Sequence, residues 1–206
     1  MKNNYRFTGI RLFRFLGLAL FFLGLTGTTC IEERIVEVVV GGELIAEFDA
    51  TGQVNVFDDA ESILIDDQVN LDEILQENGI ESIQDVSVQS AFFRVTQKDP
   101  TPGRTISGAV TVGRDGNPES ELIHYSSVMV NDDAHIDWTP VPLEQAGVDV
   151  LNSILDELVT GASNLAVTFH SSGTSTPLNV ESNFRYEVKV RFNVVGLVKV
   201  DVVDGI

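Results

Sequence analysis

The C-terminal stretch from Phe184 to Val202 alternates with a period of two and constrains the fold more than any other segment. Phe184, Tyr186, Val188, Val190, Phe192 and Val194 share one face, and Arg185, Glu187, Lys189, Arg191 and Asn193 share the other. Successive side chains of a strand point to opposite sides, so this pattern is a strand with one face in a core and one in water. Val198, Val200 and Val202 continue the same phase beyond Gly196. A straight strand of that length would span about 60 Å at roughly 3.3 Å per residue. Gly196 is therefore expected to mark a bend, a bulge or a change of sheet.

Alternation of the same kind recurs upstream. Arg34–Val40 and Glu43–Phe48 read as strands joined by a hairpin at Gly41-Gly42. Gln53–Phe57 and Ser62–Ile65 read as short strands separated by the acidic turn Asp58-Asp59-Ala60-Glu61. In Asp85–Gln97, Val86 and Val88 fall on one face while Ala91, Phe93 and Val95 fall on the other by counting; a bulge near Ser90 would reconcile them. Lys98–Gly103 reads as a loop, and Arg104–Val112 with Glu121–Val130 as a hairpin around Gly113–Pro118. Asn164–His170 is a strand and Ser171–Pro177 a Ser/Thr/Gly loop.

Two helices interrupt the strands. Asn70 fits an N-cap, Glu73 completes the capping-box spacing and Gly79 fits the position after the last turn. Val148–Thr160 carries Leu151, Ile154, Leu155 and Leu158 at i, i+3, i+4, i+7, and Gly161 closes it. The expectation is a mainly β fold: a single β-sandwich, Ig-like or jelly-roll-like, with two short helices. A partly open β-barrel is the alternative.

The N-terminus differs in character. Lys2, Arg6, Arg11 and Arg14 precede the eleven-residue apolar run Phe15–Leu25, and no acidic residue occurs before Glu32. As a helix the run would cover roughly 16 Å, about half a bilayer core, which suits a cleaved export signal over residues 1–29 better than an anchor. Directly behind it stands Cys30, the only cysteine of the chain. A signal ending at a lone cysteine resembles those of bacterial lipoproteins. The resemblance implies that Cys30 is the lipidated first residue of a mature domain over residues 30–206, with its address at the outer membrane or cell surface. The family pattern places a branched apolar residue three positions before the cysteine; here Gly27, Thr28 and Thr29 fill the gap and the nearest leucine is Leu25. Conventional cleavage among Thr26–Thr29 is the alternative.

Residues 1–29 contain four of the 13 basic side chains and none of the 31 acidic ones, leaving nine against 31, a formal charge of −22. Such a body lacks the basic footprint of a nucleic-acid binder and the charge to dock on anionic lipid, so a membrane is reached through the N-terminal lipid. Without a second thiol there is no disulfide, no cysteine zinc cluster and no cysteine nucleophile.

Asp58-Asp59-Ala60-Glu61 with Asp66-Asp67, and Asn131-Asp132-Asp133 with His135 and Asp137, offer oxygen ligands but lack the alternate spacing of a calcium loop, so they read as turn-forming and solvating residues. His135 and Asp137 read as polar loop residues and His124 as half-buried in its strand. His170 beside Ser171-Ser172-Gly173 lacks the Gly-x-Ser-x-Gly elbow. The stripe Arg185, Lys189, Arg191 with Lys199 reads as cross-strand ion pairing. No catalytic residue, metal site or cofactor is assigned. The expected role is binding or structural, with an envelope protein, a glycan or a second copy as partner. A secreted or anchored acidic hydrolase, with calcium as its candidate ion, and a carrier of lipid or another hydrophobic ligand are the alternatives.

Overall fold

In the computed structural model, residues 32–114, 119–131, 133–162 and 164–202 are described. Cys30, the apolar run before it, the expected turn residues Asp115–Pro118 and Asp132 lie outside the described residues. Among the described residues eight strands form two four-stranded sheets. In chain order they are β1 (Glu32–Asp49), β2 (Val56–Leu64), β3 (Ile80–Gln97), β4 (Thr105–Gly113), β5 (Ser120–Met129), β6 (Thr139–Val141), β7 (Ala166–Thr176) and β8 (Arg185–Val202). One sheet has the order β1-β8-β3-β6 and the other β2-β7-β4-β5, with every pairing antiparallel. The first strand thus pairs with the last, the second with the second-last, and so on inward to β4 and β5. This nested order is a jelly roll, and the two sheets share no strand, so the barrel alternative does not hold.

The first sheet is built on strands longer than the sequence suggests. β1 pairs with β8 without a register shift across all 18 residues. Gly41-Gly42 is not a hairpin: a Cβ on Gly42 would stand 2.3 Å from the Phe192 ring, so the missing side chain makes room for the phenylalanine across the ladder. Gly196 likewise does not end β8. A Cβ there would lie 2.3 Å from Ile80 Cγ2, so Ile80 occupies the space the glycine leaves. The irregularity falls on β3, whose register against β8 shifts between Ile83 and Asp85.

The second sheet also departs from expectation. The acidic segment Asp58–Glu61 lies within continuous β2 rather than in a turn, and β7 runs on through the Ser/Thr/Gly segment to Thr176. Gly173 of β7 faces Gly108 of β4 in register, and Phe57 packs against Gly173.

The bulge in β3 sits between Val88 and Ser90, as the phase error indicates. Three helices accompany the sheets: α1 (Ile65–Gln68), α2 (Leu71–Asn78) and α3 (Gln145–Val159). The one-turn α1 is additional to the two expected. Asn70 Oδ1 accepts the Glu73 N–H at 3.1 Å, and Gly79 takes the left-handed conformation (φ 64°) that closes α2. Along α3, Leu151, Ile154, Leu155 and Leu158 are buried. Asn152 Oδ1 accepts the Val88 N–H at 2.8 Å, so the helix satisfies a β3 donor beyond the reach of β6, which pairs only Ala91–Phe93.

The core lies between the sheets. Tyr186 is its centre, with Phe93, Phe48 and Phe184 ring centroids 5.1, 5.2 and 5.9 Å away. The Tyr186 hydroxyl bonds Ser171 Oγ, which Tyr125 reaches at 3.2 Å. Burial pushes both phenols above their ordinary pKa. At one end of the sandwich Arg104 is wholly buried. Its two terminal nitrogens donate to Ser175 Oγ (3.3 Å), Thr101 Oγ1 (3.4 Å) and the carbonyls of Pro177 (3.4 Å), Val180 (3.3 Å) and Glu181 (2.8 Å). Its Nε faces Asp99 Oδ2 at 3.2 Å. Burial alone would raise the Asp99 carboxyl, but the N–H groups of Asn183 and Thr101 and the guanidinium outweigh it and hold it below the usual range.

Candidate functional site

The acidic residues of β2 close a sheet edge. β1 is an edge strand, and its register against β8 turns the N–H groups of Ile45, Glu47 and Asp49 outward. Gln68 Oε1 accepts from Ile45 (2.7 Å), Glu61 from Glu47, and Asp59 Oδ2 from Asp49 (2.7 Å). Gln68 Nε2 donates back to the Ile45 carbonyl at 2.8 Å. Burial, against the pull of the Glu47 N–H, raises the Glu61 carboxyl. Asp66 accepts the Asn164 N–H at 2.7 Å. Among the described residues no three His, Cys, Asp or Glu side chains converge as metal ligands.

The remaining β2 carboxylate, Asp58, meets His170. The imidazole lies between Asp58 Oδ1 (2.8 Å from Nε2) and Glu119 Oε2 (2.9 Å from Nδ1), and Glu119 also accepts from Thr111 Oγ1. The Asp58 hydrogen bond raises the His170 pKa; partial burial opposes it and Glu119 adds to it. With both nitrogens held by carboxylates, this imidazole ties β2, β4 and the start of β5 to β7. Ser171 points the other way, into the core, so it forms no nucleophile pair with its neighbour.

His124 is exposed rather than half-buried, with Nδ1 3.5 Å from Glu121. Leu122 and Ile123 take the buried positions beside it, which leaves the imidazole on the wet face. His135 lies in a single 3-10 turn (Asp133–His135), edge-on to Phe93 with the ring centroids 6.0 Å apart. Its Nδ1 is 3.4 Å from Thr139 Oγ1, and the residue does not pair with Asp137. With Phe93, Ile123, Tyr125, Val128 and Thr139 it lines a cavity of about 30 Å³. That is room for one water, far below the several hundred Å³ of a ligand pocket.

The outer face of the first sheet carries a denser arrangement. Each cation of the stripe meets a carboxylate: Arg185 with Asp49 at 2.8 Å, Arg191 with Glu43 at 2.7 Å, Lys189 with Glu43 at 3.5 Å and Lys199 with Glu81 at 3.1 Å. Arg94 of β3 pairs with Glu187. Over these groups lies Trp138, delivered by the chain entering β6. Its ring centroid is 4.3 Å from the Arg94 guanidinium carbon and 4.3 Å from Lys189 Nζ. Because β3 separates β6 from β8, the indole must lie across the sheet to reach Lys189. Phe92 continues the aromatic surface, 4.8 Å from Arg191 and 5.5 Å from Lys189. Burial here lowers the Lys189 pKa, Glu43 opposes that, and Arg191 and Arg94 add to it. Each cation–π contact contributes about 0.5–2 kcal/mol, enough together to fix the ring.

Sequence reasoning passed over Trp138 and Phe92. The available signals were the sole tryptophan of the chain standing in a polar segment, and a phenylalanine out of phase with Ala91, Phe93 and Val95.

No family model matches this chain, and no curated protein does. Among solved structures it aligns with one described as Desmodium yellow mottle tymovirus, at 9% identity and a TM-score of 0.33, covering 88% of this chain and 97% of that one. A likeness at that level carries nothing about function.

Proposed function

We propose that this chain is an exported envelope protein, held to a membrane by lipid on Cys30, that binds a glycan on the outer face of its first sheet. The role is binding, not catalysis. The observation that carries the binding role is the Trp138 ring, half-buried and laid across Arg94 and Lys189 with Phe92 beside it. A flat aromatic surface offers the apolar face of a sugar ring a rigid partner at low entropic cost. Glu43 and Arg191, both exposed, supply an acceptor and donors for hydroxyl groups. The anchoring rests on the basic, apolar, then cysteine order of residues 1–30. The acidic body leaves lipid, rather than charge, as the means of attachment.

Two measurements test the two halves. Trp138 is the only tryptophan, so its emission reports the surface directly. Soluble peptidoglycan fragments and neutral oligosaccharides are expected to shift that emission, and Trp138→Ala is expected to abolish retention on the immobilised glycan. An unchanged emission with every glycan, and equal retention of Trp138→Ala and the parent, would overturn the binding site. Intact mass of protein taken from the membrane fraction is expected to show a chain starting at a diacylated Cys30. An unmodified Cys30, or a start after it, would overturn the anchor.

A further inference from the structure

The two halves of the β1 edge are treated differently. From Ile45 to Asp49 the outward N–H groups are taken up by Gln68, Glu61 and Asp59. The unbroken register with β8 means that Ile35, Glu37, Val39, Gly41 and Glu43 also turn their backbone groups outward. Among the described residues no strand or side chain takes these up. The same half carries exposed apolar side chains, with Ile35 65%, Val39 57% and Val36 42% exposed. A long, regular, apolar edge is a template for another strand.

We propose that this half-edge pairs with the same segment of a second copy, antiparallel about a two-fold axis through Val38, joining the two first sheets into one of eight strands. Self-complementarity of the segment carries the choice of occupant. In this register Val36 stands opposite the second copy's Val40, Val38 opposite itself and Val40 opposite the second copy's Val36, a continuous valine row on one face. On the other face Ile35 stands opposite Gly41, where a Cβ would meet only the Phe192 carbonyl oxygen at 3.9 Å, so the isoleucine fits there. Glu37 stands opposite Val39, so no two carboxylates oppose each other between positions 35 and 41. Glu43, at the end of the segment, comes opposite the second copy's Glu33, and Arg191 and Lys189 on its own sheet offset the Glu43 charge. The strong net acidity of each copy opposes association at a distance, and salt screens it, so the dimer strengthens as salt is added. The pairing does not involve Trp138 or the N-terminal lipid and stands apart from both.

The test uses the full chain in mild detergent. Val38→Cys is expected to give a disulfide-linked dimer on mild oxidation, because a residue on the axis meets itself at a Cα separation of about 4.5 Å. Val36→Cys and Val40→Cys singly are expected not to cross-link, because each is offset by four residues, roughly 13 Å, from its own copy. All are compared with the parent chain, which shares Cys30. Val39→Pro removes an N–H that faces the open edge and none that bonds β8. It is expected to weaken the dimer at least about tenfold by light scattering, with little change in melting temperature. A monomer at every salt concentration, equal cross-linking at positions 36, 38 and 40, or a dimer that survives Val39→Pro would overturn the proposal.

Discussion

Replacing Arg104 by methionine removes the guanidinium while keeping much of the side chain's volume. Three carbonyls and two hydroxyls then lose a donor, and the buried Asp99 carboxylate loses the charge that faces it. Breaking a buried charged pair from one side costs about 3–5 kcal/mol, and each buried acceptor left bare costs about 1–3 kcal/mol. These do not add in full. Asp99 keeps the N–H groups of Thr101 and Asn183, and the 177–181 loop can turn outward to water. About 4 kcal/mol is the expected loss, which for a domain of this size lowers Tm by roughly 8–16 °C. The assay is urea unfolding followed by Trp138 emission and, independently, by circular dichroism. Arg104→Lys, which keeps the charge but cannot reach five acceptors, is expected to fall between the two. Adding Asp99→Asn to Arg104→Met should recover part of the loss, because it removes the unpaired charge. A loss below about 1 kcal/mol for Arg104→Met would show that the guanidinium does not hold the loop, and the reasoning would fail.

Three further outcomes are expected. The His170 pKa is raised by Asp58 and Glu119, so its contribution to stability is complete below about pH 6.5 and declines as pH rises through the higher folded value. Melting curves from pH 6 upward should show that decline in the parent and lack it in His170→Gln; parallel curves would refute the coupling. Gly173→Val places a Cβ 2.4 Å from the Ser107 carbonyl oxygen and 2.6 Å from Phe57 Cζ, and should cost at least about 2 kcal/mol in denaturant unfolding. Asp59→Ala with Glu61→Ala strips the cover from the Glu47 and Asp49 N–H groups. Hydrogen exchange at those two amides should quicken while the amides of β8 keep their protection.

Most strands and the two longer helices are legible because their signals are local and repeated. The alternation in β8, the caps of α2 and the stripe of α3 each involve several residues that agree. The phase error in β3 located the bulge by the same logic, since a period of two leaves no other way to bury both halves. The misreadings share one physical cause. Gly42, Gly196 and Gly173 look like turn residues, but each is small because a ring or branched chain from another strand lies on it. Glycine in a turn and glycine under Phe192 are the same letter, and only the partner distinguishes them. The acidic run in β2 misleads in the same way, because its carboxylates serve backbone donors on β1 and an imidazole on β7. Arg104 gave no sign of burial, since its acceptors are carbonyls whose positions depend on the folded loop. The Trp138 surface was hidden because it joins three strands far apart in sequence.

The nested pairing of the strands also dictates an order of assembly. β4 and β5 are neighbours along the chain and close a short loop, whereas β1 must wait for β8, some 150 residues away. Loop-closure entropy and the slowness of non-local pairing both favour formation from the inside outward. The 18-residue ladder that defines the first sheet is therefore the last of these pairings to close, although β1 is synthesised well before β8. A chain released progressively, from a ribosome or through a pore, keeps Val36, Val38, Leu44 and Phe48 without partners until β8 is free. Removing β8 as a whole should then trap a half-wrapped chain with a bare β1, whereas trimming Val198–Val202 takes partners from β1 only at Glu32–Val36.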